Sequence, residues 1–211
     1  MKKISIISFL IVATAFNFTA CKSETKKEET KVETTTEVKK STAAFAVANA
    51  KNDIKFTAYK TTEKIGVGGQ FNKIDIVSGG EGNSVKEAIN NTEFSIPVSS
   101  LATKDSSRDF KIRKFFFGAM ADTKLLTGKL LLTTDTDGIA KITMNGKTED
   151  VLFTYTIVDD VFNMQATIDI NNWEAGEALA SLNKVCEILH TGGDGVSKTW
   201  SDVALNITST F

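Results

Sequence analysis

Beyond Asp53 the chain alternates apolar and polar residues in one segment after another, and this period of two fixes the fold class. Ile54, Phe56 and Ala58 share one side of a first segment, and Phe94, Ile96 and Val98 one side of another. The pattern returns at Ala140, Ile142 and Met144, at Val151, Phe153, Tyr155 and Ile157, and at Phe162, Met164, Ala166, Ile168 and Ile170. A last segment places Val203, Leu205 and Ile207 together. Side chains of a strand point alternately to opposite faces, so each segment reads as a strand with one buried face. Gly69–Val77 and Thr123–Thr134 bring the expectation to about eight strands, with Val85–Asn90 a weaker strand candidate.

The breaks between segments suit hairpins. Asn145-Gly146 favours a two-residue turn, and Thr134–Gly138 and Asp159-Asp160 have turn composition. Gly66, Gly68 and Gly69 read as a turn, and so does Ser78–Asn83. No Lys-Ser/Thr and no helical period follow the first glycines, which excludes a phosphate loop. Antiparallel strands in this number remove their edges by closing. The expected fold is therefore all-β and mainly antiparallel: a barrel of about eight strands with one or two short helices. Asn171–His190 is the clearest helical stretch, with Leu179, Leu182, Val185, Cys186 and Leu189 at three- and four-residue steps. Asn171 and Glu174 are spaced as a capping box, and Gly192-Gly193 supplies a stop.

The segment Ser99–Gly118 interrupts the strands. A polar turn leads to Arg108, Asp109, Lys111, Arg113 and Lys114, and then to Phe115, Phe116 and Phe117. Each such ring can bury on the order of 150–250 Å². The three rings must point into a core or into a lipid-sized hole.

At the N-terminus, Met1-Lys2-Lys3 precedes an apolar run from Ile4 to Phe18, too short to span a bilayer comfortably. It fits a secretory signal peptide, 1–20. Phe18-Thr19-Ala20-Cys21 resembles a bacterial lipobox, which implies that Cys21 carries acyl chains. Residues 21–43 are charged and almost without apolar side chains, the composition of a flexible tether. A barrel domain is expected over 44–211. The layout implies a membrane-anchored protein of the cell envelope, on a periplasmic or outer-membrane face.

Groups for catalysis are sparse. The chain has one His, His190, and two Cys, of which Cys186 lies on an apolar helix face. Zinc coordination by nitrogen and sulfur is poorly supplied, so no metal is expected. Ser-His-Asp chemistry would have to use His190 alone, without a nucleophile elbow. The residues downstream of Thr42 are more acidic than basic, against a nucleic-acid footprint. No catalytic residue, cofactor or enzyme activity is expected.

Ser99-Ser100-Leu101-Ala102-Thr103 leading to Arg108-Asp109, then Ile112 and the phenylalanine run, resembles the pattern of the YceI family. Lys60, Gly69-x-Phe71, Ile142–Thr148 and Ile168-Asp169 with Trp173 are similar to further family segments, and the resemblance covers nearly all of 44–211. Lys111 and Thr61 stand where the family has His. The resemblance implies a lipocalin-like barrel with a tubular apolar cavity for a polyisoprenoid, such as a quinone side chain or a polyprenyl lipid, and no catalytic residues. By strand phase, Phe56, Phe71, Phe94, Ile96, Phe116 and Leu130 qualify as its lining. Ile142, Phe153, Phe162, Met164 and Ile168 qualify likewise. The alternative expectation is a non-enzymatic cell-envelope interaction module whose barrel is fully packed.

Overall fold

The computed structural model describes residues 41–211. The expected signal segment, Cys21 and nearly all of the expected tether lie outside the described residues. The elements in chain order are β1 (Phe45–Ala46), β2 (Lys51–Lys60), β3 (Ile65–Phe71), β4 (Asp75–Ser78), β5 (Glu81–Gly82), α1 (Val85–Ile89), β6 (Glu93–Pro97) and β7 (Leu101–Ala102). They continue with α2 (Ser106–Lys111), β8 (Leu125–Leu132), β9 (Asp137–Met144), β10 (Lys147–Val158), β11 (Val161–Asp169), α3 (Gly176–Val185), α4 (Glu187–His190) and β12 (Thr199–Thr210). β1 and β5 form a small ladder of their own. The other ten strands make one antiparallel sheet in the order β4-β6-β8-β9-β10-β11-β12-β2-β3-β7. The all-β, mainly antiparallel class is thus observed, with ten strands in the main sheet against about eight expected.

The chain itself forces this sheet to curl. β4 begins the strand order and β3 is next to its far end, yet only three residues separate them. The converse holds for β6, second in the order, and β7, at its far end, joined by the 3₁₀ turn Val98–Ser100. The four steps from one strand end to the next reach about 14 Å at most, so the two edges must approach each other. The turn is bonded to both sides of the seam. Val98 N donates to Lys124 O at 3.0 Å, and Asn72 N donates to Ser100 O at 3.0 Å. Covalent crossings therefore bring together edges that no ladder joins.

Local chemistry departs from the simple pattern in three places. Val85–Ile89 is a helix, not a strand. Ser84 Oγ accepts from Glu87 N at 3.2 Å while Glu87 Oε2 accepts from Asn83 N at 2.8 Å, a reciprocal cap. Val85, Ala88 and Ile89 then bury at helical spacing. Gly66, Gly68 and Gly69 lie within β3, not in a turn. Gly69 pairs with Phe56 across the ladder, and a Cβ there would stand 2.3 Å from the Phe56 ring. Gly128 under Phe94 and Gly138 under Phe153 repeat the arrangement. Asn171–His190 is not one helix. Ile170–Trp173 is a 3₁₀ turn capped by Asp169, whose carboxylate accepts from Asn171 N at 2.9 Å. Glu174 takes a left-handed conformation, φ 55°, and so ends that turn instead of closing a capping box. α3 and α4 are separated by Cys186.

The interior has two halves. Around β9, β10 and β11 it is solid: Phe153, Tyr155, Phe162 and Met164 are buried, Phe162 completely. Tyr155 and Phe162 stack with centroids 5.5 Å apart, and the Tyr155 hydroxyl donates to Thr134 O at 2.7 Å. At the other end, α3 and the segment after α2 cover the sheet. Trp173 anchors that end, almost wholly buried, with Nε1 donating to Ile142 O at 2.9 Å.

Candidate functional site: an apolar hollow and its charged mouth

The covered end of the sheet is not filled. A hollow of about 130 Å³ remains there. Phe56 and Ala58 of β2, Phe71 of β3 and Leu101 of β7 form one wall. Leu126, Met144, Ile168 and Val203 contribute from β8, β9, β11 and β12. Leu179 and Leu182 of α3 close it from the helical side.

The remaining wall comes from the phenylalanine run, and the local backbone explains how. Asp105 starts α2 by accepting from Ser107 N at 3.0 Å and Arg108 N at 3.1 Å. Asp109 is turned the other way, taking hydrogen bonds of 2.7 Å from both Thr103 N and Thr103 Oγ1. After Lys111 the helix widens into a π turn, Ile112–Phe116, followed by a 3₁₀ turn, Phe117–Ala119. The wider turn changes which residues share a face. Ile112, Phe116 and Phe117 face the hollow, while Phe115 packs outside against Phe110 at 6.3 Å with Lys114 over both rings. Arg113 Nη1 ties the turn to Leu101 O at 3.0 Å. Phe116, Phe117, Phe71 and Phe56 form a continuous aromatic chain, with successive centroids 5.0, 6.3 and 5.7 Å apart.

The polar groups of the hollow are already satisfied. Thr199 Oγ1 donates to Asn183 Oδ1 at 2.7 Å, and Trp200 Nε1 donates to Thr61 O at 2.7 Å. The walls therefore impose no hydrogen-bonding demand on whatever enters.

Ala58, Ile112, Leu182 and Thr199 also line a second cavity of about 200 Å³, the mouth of the hollow. Lys60, Asp105, Arg108, Lys111, Cys186 and His190 also line it, with Tyr59, Val67, Ser107 and Leu189 between them. Lys60 Nζ donates to Leu189 O at 2.9 Å. His190 Nδ1 lies 2.6 Å from Thr199 Oγ1. The Thr199 hydrogen is given to Asn183, so Nδ1 is the donor and Nε2 carries the lone pair. Burial, with the charges of Lys60, Lys111 and Arg108, lowers the His190 pKa and favours this neutral form. Burial also pushes the Cys186 thiol up, away from thiolate chemistry. Arg108 and His190 meet here, but Asp109 is held at Thr103, so the three do not form one constellation.

Of the residues singled out by strand phase, Phe56, Phe71, Phe116 and Ile168 line the hollow. Phe153, Phe162 and Met164 belong to the solid half, with Leu130 and Ile142 packed against the same core. Ile96 is buried opposite Leu126, and the half-buried Phe94 covers Gly128. Strand phase alone missed Leu101 and Leu126, and Leu179 lies on α3, where the helix period singled it out. It also missed Leu182 of α3, for which the apolar helix period was the signal, and Ile112 of the π turn, which only the family resemblance singled out.

Residues 45–211 match the family described as the YceI-like domain. No curated protein matches the chain. Among solved structures, a polyisoprenoid binding domain from Saccharophagus degradans implicated in plant cell wall breakdown is similar at 14% identity and a TM-score of 0.53, covering 78% of this chain and 93% of that one. Burkholderia cenocepacia BcnA is similar at 14% identity and a TM-score of 0.50, covering 78% and 98%. The Campylobacter jejuni YCEI protein shares 17% identity at a TM-score of 0.44, covering 66% and 84%.

Proposed function

The chain belongs to the YceI-like domain family, and from that membership we propose that it is a lipid-binding protein that sequesters or carries an isoprenoid chain in the hollow between α3 and the sheet. The observation that carries this reading is an apolar hollow whose polar lining residues, Thr199 and Trp200, are internally bonded. A similar solved structure is a polyisoprenoid binding domain, which supports the same class of ligand. Each methylene buried there contributes about 0.8 kcal/mol before the costs of association. A chain of apolar carbons needs no polar contact to bind.

Size limits the ligand. A dry cavity of about 150 Å³ holds a benzene, so a hollow of about 130 Å³ takes roughly one isoprene unit as it stands. A longer chain must extend through the mouth or displace Leu179 and Leu182. The packed-barrel alternative has no use for this space. Membership of this family and the similarity to a polyisoprenoid binding domain favour binding over catalysis.

Anchoring belongs to the same proposal. Acylation of Cys21 and a charged tether would hold the domain at the cell envelope, on a periplasmic or outer-membrane face. Lipids extracted from the protein after gentle purification, resolved by mass spectrometry, test the ligand; an isoprenoid is expected. An empty protein that binds neither a quinone nor a polyprenyl alcohol overturns the reading. Replacing Cys21 by Ser and following the protein between membrane and soluble fractions tests the anchor.

A further inference from the structure

We propose that the outer surface of α2 and α4 docks on an anionic phospholipid bilayer, with Phe110, Ile188 and Leu189 entering the interface and the surrounding cations meeting its head groups. The docking itself stands on exposure and charge. Its use, to pass an apolar chain between bilayer and hollow without crossing water, rests on the lipid-binding reading above.

Bare apolar side chains gather at one end of the molecule. α2 and α4 flank the same opening, which Arg108 and Lys111 line from one side and Leu189 and His190 from the other. Phe110 of α2 is 53% exposed and Leu189 of α4 57%, while Ile188 of α4, at 91%, is the most exposed large apolar side chain among the described residues. Scattered single cases need no explanation, but three on two elements around one opening mark a contact surface. Lys114 Nζ lies 5.3 Å from the centroids of both Phe110 and Phe115. An amine carried over apolar rings suits a bilayer interface, where rings sit at the acyl boundary and the charge stays among head groups.

Charge selects the occupant. Lys104–Lys114 holds five cations and two carboxylates, although residues 43–211 carry 17 basic and 21 acidic side chains. Asp105 is engaged by the amides that begin α2, and Asp109 by Thr103. α3 and α4 add Glu177, Lys184 and Glu187, which leaves the surplus positive. Among the described residues no carboxylate lies within 4.0 Å of Lys60, Lys104, Lys111 or Lys114, and Arg108 reaches only Asp105, at 3.7 Å. A second copy of this chain would set these cations against their own kind. An anionic bilayer attracts them and offers the apolar side chains a place out of water. The reach of the chain allows this orientation. Phe45 stacks on Phe211 beyond the end of β12, whereas Thr199 at the start of β12 lines the mouth. The 12 residues of β12 span about 40 Å, and the 20 steps from Cys21 to Ser41 reach about 70 Å at most. A chain held at Cys21 can therefore turn either end to the bilayer, and charge decides which.

The test uses the full chain and vesicles with brominated acyl chains, made either of phosphatidylethanolamine with phosphatidylglycerol or of phosphatidylcholine alone. Ile188→Trp puts a fluorophore on the proposed face. Val158→Trp puts one on a side chain 61% exposed at the other end of the sheet, beside the Asp159-Asp160 turn. With the anionic vesicles, quenching beyond that of the unaltered protein is expected in Ile188→Trp and not in Val158→Trp, whatever the N-terminal segment adds to vesicle binding. Lys111→Gln and Lys114→Gln, each made in Ile188→Trp, should raise the lipid concentration for half-quenching about fivefold per charge removed. Near 1 M salt, where screening reaches about 3 Å, the same loss is expected without those substitutions. Equal quenching at both positions, or at neither, overturns the docking face. Equal quenching of Ile188→Trp by phosphatidylcholine also overturns it, because charge would then select nothing. A dimer in sedimentation that Ile188→Asp dissolves gives the face to a second copy and overturns it too. Each of these leaves the lipid-binding reading intact, which the extraction of bound lipid tests separately.

Discussion

Single atoms decide the shape of the hollow. Gly69 is the sharpest case: a methyl group there would stand 2.3 Å from the Phe56 ring, which lines the hollow. Gly69→Ala should therefore push that ring inward, costing about 1–3 kcal/mol by overpacking and weakening binding of an isoprenoid alcohol. Thermal unfolding and a titration check the two effects separately. His190 gives a second expectation. Its pKa in the fold lies below the ordinary 6.5, chiefly because it is buried, with Lys60, Lys111 and Arg108 adding repulsion. Between that lowered value and 6.5 the unfolded chain holds more protons than the folded one, so stability rises with pH across this window and is lost on acidification below 6.5. The urea midpoint should fall between about pH 7 and pH 5.5, and His190→Gln should remove that part of the fall. The alternation of Phe56 predicts its inward face, but nothing in the pattern says that its ring lies flat over Gly69. That depends on ladder register, which pairs residues distant in sequence.

The helical elements made the largest difference between expectation and structure. The strands were legible because a period of two survives in a half-buried sheet, and Asn145-Gly146 and Asp159-Asp160 turn where their composition indicates, all four residues at positive φ. α1 was not, since five residues at helical spacing look much like a short alternating run; only Ser84 and Glu87 distinguish them. The phenylalanine run was read as a unit and is in fact divided, because a π turn sends Phe115 outward while Phe116 and Phe117 turn in. The site depends on α3 more than on any strand. Leu182 lines both the hollow and the mouth, so Leu182→Trp should plug the passage. Uptake of a fluorescent isoprenoid analogue is expected to drop at least about tenfold, which corresponds to roughly 1.4 kcal/mol, while the strand signal in circular dichroism stays. Retained uptake would place the ligand elsewhere.

At the scale of the whole molecule, a fully packed half supports a half that is not. Phe153, Tyr155 and Phe162 stabilise the sheet by burial, while the hollow forgoes part of that gain. Affinity should rise with chain length over the first one or two isoprene units and then level off, unless α3 yields; a homologous series of prenyl alcohols measures this directly. The seam offers a second expectation. The outer amides of β4 and β7 have no partner strand among the described elements, so their hydrogens should exchange with deuterium well before those of β10 and β11. A tube stitched by two short covalent links, with no zipper of hydrogen bonds along the join, can widen its girth only as far as those links straighten, while every ladder stays intact. Capacity for a bulkier guest would then come from the stitching and leave the weave untouched.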